Sequence, residues 1–132
     1  MHKHLEGHVY PAFKLRPNRT LAAQYLEAQG APADSAAVPV TYMIFLRAEA
    51  HGVDVFKDLD IPRAKALHGG QRYEWFAPID WDDDVTVTVT VQKITEKQSK
   101  GGPLWFADIQ YDYALPSGMP ALREITRLIK RS

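Results

Sequence analysis

The chain contains no cysteine, which excludes disulfide scaffolds, thiolate metal sites and a cysteine nucleophile together. A reducing, cytoplasmic setting is expected. Neither sign of charge is in excess. The 16 basic side chains balance 16 acidic ones, so no overall field draws the chain to nucleic acid. Long apolar runs are also missing. Residues 36–46 make the longest, interrupted by Pro39 and Thr41, and fall short of the ~20 residues that cross a bilayer. The opening His2, Lys3, His4 and Glu6 lack the apolar core of a secretory signal. With 132 residues the chain is expected to form one domain over 1–132.

What is present falls into two halves. Residues 9–15 mix aromatic and aliphatic side chains, with Pro11 inside and Arg16-Pro17-Asn18 at the end, which predicts a short strand. Asn18 can cap a helix over 19–29, where Leu21, Tyr25 and Leu26 share a face before Gly30. After a loop of small residues, Pro39 suits a first helical turn. Residues 40–50 then carry Tyr42, Met43, Phe45 and Leu46 around most of the helix circumference. Such a helix has to be wrapped. His51-Gly52 closes it, and a surface linker with one turn of helix is expected through Asp54, Asp58, Asp60 and Pro62 to a turn at His68-Gly69-Gly70.

From Gln71 onward the period changes to two. Strands are predicted over 71–79, 85–91, 104–114 and 121–131. The second alternates Val85, Val87, Val89 and Val91 with Thr86, Thr88 and Thr90. Residues 80–84, with Asp82, Asp83 and Asp84, are read as a solvated hairpin turn between the first two strands, and the sheet as a meander. The predicted class is α+β, a curved antiparallel sheet wrapped around a central helix, which is the hot-dog arrangement.

Leu67-His68-Gly69-Gly70-Gln71-Arg72-Tyr73-Glu74-Trp75, followed by Ala77-Pro78-Ile79, resembles the strand after the linker in the MaoC-like hydratase/dehydratase family. It is most similar to that family's N-terminal, fatty-acid-synthase-type dehydratase domain, in which His-Gly-x-Gln precedes an aromatic strand. Val38-Pro39-Val40-Thr41-Tyr42 resembles the opening of that domain's central helix. The likeness extends over about residues 18–131. It departs from the family at Asp82, Asp83 and Asp84, where members have Gly-Asp. It departs again at residues 30–37, which hold no Gly-Asp-x-Asn-Pro-x-His and no histidine, only Asp34. A lone carboxylate cannot divide acid and base work with an imidazole, so no catalytic residue is assigned.

The resemblance implies a bound acyl thioester, carried by CoA or acyl carrier protein, with its carbonyl facing the backbone N–H groups of Val40 and Thr41 at the helix N-terminus. Tyr42 and Phe45 would line the acyl chain, with His68, Gly69 and Gly70 near the substrate. Each has a plainer reading: Tyr42, Met43, Phe45 and Leu46 as ordinary core, His68 as a turn residue bonded to backbone, and Gly69-Gly70 as a strand opener. His2, His4 and His8 read as a solvated tail. Arg123, Arg127, Lys130 and Arg131 read as solvent contacts of a last strand, or as contacts to a CoA phosphate. No metal or cofactor is expected.

Three functions fit. The first is the acyl-pocket subunit of an (R)-specific enoyl-thioester hydratase or 3-hydroxyacyl-thioester dehydratase, paired with a homologous catalytic chain. The second is a homodimeric acyl-CoA thioesterase using Asp34 or Glu49. The third is a non-catalytic acyl-thioester binding module. A strand edge left open and a half-covered helix both predict a dimer, with itself or with a homologue.

Overall fold

The computed structural model describes residues 1–17 and 51–131. The helices predicted over 19–29 and 40–50 lie outside the described residues. Within them, the architecture is one five-stranded antiparallel sheet built from β1 (Phe13–Leu15), β2 (Ala66–Trp75), β3 (Val85–Ser99), β4 (Gly102–Ala114) and β5 (Pro120–Lys130). The spatial order is β1-β3-β4-β5-β2.

Alternation decides which face is buried. Val85, Val87, Val89 and Val91 of β3 are all buried, as are Ala107, Ile109 and Tyr113 of β4 and Leu122, Glu124 and Leu128 of β5. In register they stack side by side, Val87 opposite Tyr113 and Val91 opposite Ile109. Removing a Val or Leu side chain from water contributes about 1.5–3 kcal/mol, so one face of the sheet carries most of the cohesion. A four-residue helix, α1 (Val55–Asp58), starts at Asp54, whose carboxylate accepts a hydrogen bond from the Lys57 N–H at 3.2 Å. Around it Val53, Val55, Leu59 and Ile61 join the core. The predicted surface linker therefore has a buried apolar side, because its valines, leucine and isoleucine are spaced among its acids.

Three register shifts interrupt the ladders; one falls between Tyr113 and Ala114, where β4 ends, and the other two are β-bulges within the strands. In β3 the register slips between Val91 and Lys93, and in β2 between His68 and Gly70. Lys93 pairs with Asp108, Asp108 with Arg127, and Arg127 with Gly70. The bulges thus lie on one line across four strands, and each increases the local bend and twist of its own strand.

Three expectations are corrected. β2 begins at Ala66, not Gln71, so His68, Gly69 and Gly70 lie in a strand rather than a turn. β3 continues to Ser99. The extra residue at Gln92 moves the next buried position to Ile94, which breaks the alternation that marks residues 85–91. Lastly, residues 80–84 do not close a hairpin between β2 and β3: β2 pairs with β5, and β5 and β4 stand between it and β3. The meander covers β3, β4 and β5 only. Residues 76–84 form a crossover pinned by buried Ile79 and Trp81. In it Asp83 accepts from the Asp80 N–H at 2.9 Å, and Asp84 pairs with Arg16 at 3.0 Å.

The N-terminal residues are exposed yet docked, unlike a solvated tail. The Gly7 N–H donates to Val91 O at 2.7 Å, the Tyr10 N–H to Val89 O at 2.9 Å, and the Val91 N–H to His8 O at 2.9 Å. The Glu6 carboxylate accepts from the Ile94 N–H at 2.7 Å, and Lys3 Nζ donates to Ile94 O. This segment extends β1 along the outer edge of β3, interrupted near Pro11, which has no N–H to offer. The Tyr10 hydroxyl, bonded to Asp58 at 2.8 Å, ties it to α1.

Because the cohesion is concentrated on one face, Ile109→Ala, which empties a fully buried position, should destabilise the chain by about 2–5 kcal/mol. Lys93→Ala, on an exposed side chain, should stay within about 0.5 kcal/mol. Urea unfolding of the two variants measures both.

Candidate functional site

Where β2 and β5 meet, the buried face turns polar. Along β5 the inward positions are Leu122, Glu124, Thr126 and Leu128; along β2 the residues opposite them are Trp75, Tyr73, Gln71 and His68. Two turns of this pattern carry carboxyl, hydroxyl, amide and imidazole groups in place of aliphatic ones. Tyr111 of β4 faces Glu124 from the other side.

Glu124 is 3% exposed. Its Oε1 accepts a hydrogen bond from the Tyr113 hydroxyl at 3.1 Å. Burial pushes the Glu124 carboxyl above the usual carboxylate range, and it outweighs the opposing pull of Tyr113, Gln71, Tyr73 and His68. Tyr113 is itself held well above the ordinary phenol value, first by burial and then by the Glu124 charge. Gln71 Oε1 is the acceptor for two groups, Thr126 Oγ1 at 3.0 Å and His68 Nε2 at 2.9 Å. That arrangement makes Nε2–H the His68 donor. His68 is exposed and bonds to a side chain rather than to backbone, so the set runs from the surface at His68 through Gln71 to the interior at Glu124.

Gly69 is the unpaired residue of the β2 bulge, and its lack of a side chain is structural. A Cβ there would lie 2.7 Å from Ile129 Cδ1, 2.9 Å from Ile129 Cγ1 and 3.0 Å from Arg127 Cγ. At Gly70 a Cβ would meet nothing within 4 Å. On the open face beside them is a shallow cleft of about 230 Å³ lined by Gly70, Arg72, Gln92, Asp108 and Arg127.

The basic residues of β5 are engaged within the chain. Arg123 pairs with Asp112 at 2.9 Å, Arg127 with Asp108 at 2.8 Å, and Lys130 with Asp60 at 3.3 Å. The Arg131 guanidinium donates to Ala64 O at 3.2 Å. Exposed pairs of this kind contribute little to stability. Val40, Thr41, Tyr42 and Phe45, and with them Asp34 and Glu49, lie outside the described residues. The structure therefore brings His68 into a polar set with Gln71 and Glu124 and separates it from Gly69 and Gly70, which face the other side. Sequence reasoning missed Glu124; its signal is a glutamate in phase with Leu122 and Leu128 on an otherwise apolar strand face.

Among solved structures the chain is similar to the C-terminally truncated HadBC complex of Mycobacterium tuberculosis, a (3R)-hydroxyacyl-ACP dehydratase. The TM-score is 0.74 at 16% identity, covering 95% of this chain and 96% of that one. HtdX of the same organism matches with TM-score 0.73 at 20% identity over 93% of this chain, which spans 51% of HtdX. The (R)-hydratase of A. caviae involved in PHA biosynthesis matches with TM-score 0.60 at 14% identity, over 96% of each chain. No curated protein matches by sequence. The fold these likenesses define is the hot dog, a curved antiparallel sheet with little helix among its described residues. The model of the FAS1-like dehydratase domain region matches residues 21–120, and the chain belongs to that family, a MaoC-like hot-dog dehydratase domain.

Two outcomes are expected from this geometry. Gly69→Ala should lower stability by about 1–3 kcal/mol through overpacking against Ile129, Gly70→Ala should not, and Ile129→Val should recover part of the loss in Gly69→Ala; thermal unfolding of the four proteins tests the contrast. For Glu124 the folded carboxyl binds its proton more tightly than the unfolded one, whose ordinary value is 4.5. Its contribution is favourable at low pH and falls as pH rises through the folded value. The stability of Glu124→Gln relative to the parent should accordingly grow as pH is raised above 4.5, read from urea midpoints across the pH range.

Proposed function

We propose that the chain is the acyl-pocket subunit of an enoyl-thioester hydratase or 3-hydroxyacyl-thioester dehydratase, whose acid and base come from a homologous hot-dog chain. The carrying observation is that the dehydratase-family match spans residues 21–120 while residues 30–37 hold no acid–imidazole pair. The chemistry needs a polarised thioester carbonyl and a group that moves a proton to or from the β-oxygen. The first role needs only backbone donors, which Val40 and Thr41 supply in this reading; the second needs the missing pair.

The sheet supports a hot-dog partner. β2 is ten residues long and lies at the edge of the sheet, with no strand on its far side among the described residues. An exposed edge of this length is a template for pairing with another chain. HadBC and the ChsH1–ChsH2 complex of Mycobacterium tuberculosis are both described as complexes, and a partner of that kind suits this edge. Carrier and acyl group follow from the same reading: a CoA or acyl-carrier-protein thioester whose chain lies against the apolar face, at about 0.8 kcal/mol for each methylene buried. A cytoplasmic enzyme of acyl metabolism is the setting that fits. Among the described residues no helix is long and apolar enough to cross a membrane.

The test is hydration of trans-enoyl-CoA, followed by loss of the conjugated thioester absorbance. The purified chain alone should be inactive, and activity should appear on adding a hot-dog partner that carries Gly-Asp-x-Asn-Pro-x-His. Turnover by the isolated chain at a rate equal to the mixture would overturn the division of labour.

A further inference from the structure

The face of the sheet turned away from the core carries apolar surface at both of its ends. At one end Thr95, Phe106, Ile129 and Leu67 stand on a single rung across β3, β4, β5 and β2. Their neighbours Ile94, Ala107 and Leu128 are buried, so alternation points this row outward. At the other end a cavity of about 580 Å³ is lined by Phe76, Thr86, Thr88, Ala114, Met119 and Arg123. Among the described residues, four large hydrophobic side chains are exposed, and three of them, Leu67, Phe76 and Met119, belong to these two ends. Apolar surface gathered in this way marks an interaction site.

The two ends differ in charge. Lys93, Lys97, Arg127 and Arg131 are exposed around the Phe106 row, with Lys97 and Arg127 over the Phe106 ring at 5.4 and 5.9 Å. The acid among them, Asp108, is already bonded to Arg127 at 2.8 Å. Near the cavity, Glu74, Asp80 and Asp82 are exposed, while Asp84 and Asp112 hold Arg16 and Arg123 at 3.0 and 2.9 Å. One end is therefore basic and the other acidic. Between them lies the rung Thr90–Gln110–Ile125–Arg72, with Gln110 equally far along β4 from Phe106 and from Ala114. A two-fold axis that lies between two such faces and crosses the strands at this rung sets the basic row of each copy on the acidic cavity of the other. Leu67 then comes over Phe76, and Phe106 over Ala114. We infer that this open face pairs back to back with the same face of a second copy of the chain. Such a contact is self-complementary, as closed two-fold pairs require, and stacked sheets pack their facing side chains about 10 Å apart. It leaves the buried face and the β2 edge free for a hot-dog partner and does not depend on the acyl-pocket reading.

Sedimentation velocity on the full chain tests the pairing. The parent chain should sediment at twice the mass of Met119→Lys, a change at an exposed position that puts a cation where the partner's basic row lies. Lys97→Glu and Asp82→Lys, also at exposed positions, should each weaken the doubling by about tenfold, because each sets like charges together at both contacts. Mixed in equal amounts, these two variants should associate as the parent does, since the introduced glutamate then faces the introduced lysine and the unaltered Lys97 faces the unaltered Asp82. β4 and β5 stand between β3, which carries Lys97, and the β2 edge, so this pattern reports the open face and not edge pairing. Thermal unfolding of each variant confirms that its fold is kept. Equal masses for the parent and Met119→Lys at every concentration, or a mixture that fails to restore what each variant loses, would overturn the inference.

Discussion

Everything described hangs on one sheet burying one face, and on that face staying continuous although two of its strands change phase. A strand gains its cohesion from alternate side chains, so an inserted residue would normally send the rest of the strand to the wrong side. Here the insertions at Gln92 and Gly69 fall on a shared rung, Lys93–Asp108–Arg127–Gly70. Each strand bends where its neighbour bends. The apolar positions beyond the rung, Ile94, Ala107 and Leu128, remain on the buried side.

That phase change also sets what was legible in the sequence. The Val-Thr alternation over 85–91 announces its strand because nothing disturbs it, whereas its continuation to Ser99 is hidden by one residue. The same holds for β2: the Tyr73 and Trp75 alternation is readable, and the bulge at Gly69 disguises His68, Gly69 and Gly70 as a turn. Partner choice was not legible at all. Alternation tells which way a side chain points and carries no label for the strand it lies beside, so an acidic stretch between two strands was read as a hairpin. The one signal in that stretch is Trp81, an aromatic residue set among four aspartates, which packs inward.

The family resemblance rests on residues 67–75 with Ala77-Pro78-Ile79 and on residues 38–42, local strings that a sequence displays without its fold. The polar set around Glu124 came only with the fold, because its members stand on three strands. Each is unremarkable in its own segment. Pairing Gln71 with Thr126 and Tyr73 with Glu124 turns scattered polar residues into one buried group, an effect that no local pattern contains.

The docking of residues 6–10 along β3 has an implication for assembly. Hydrogen bonds from Gly7, Tyr10 and Val91, with the Glu6 carboxylate on Ile94, occupy the backbone positions that a foreign strand would need on that side. Strand addition at that edge would first have to peel residues 6–10 away from β3. The outer side of β3 is in this way shielded from edge-to-edge aggregation by the chain itself.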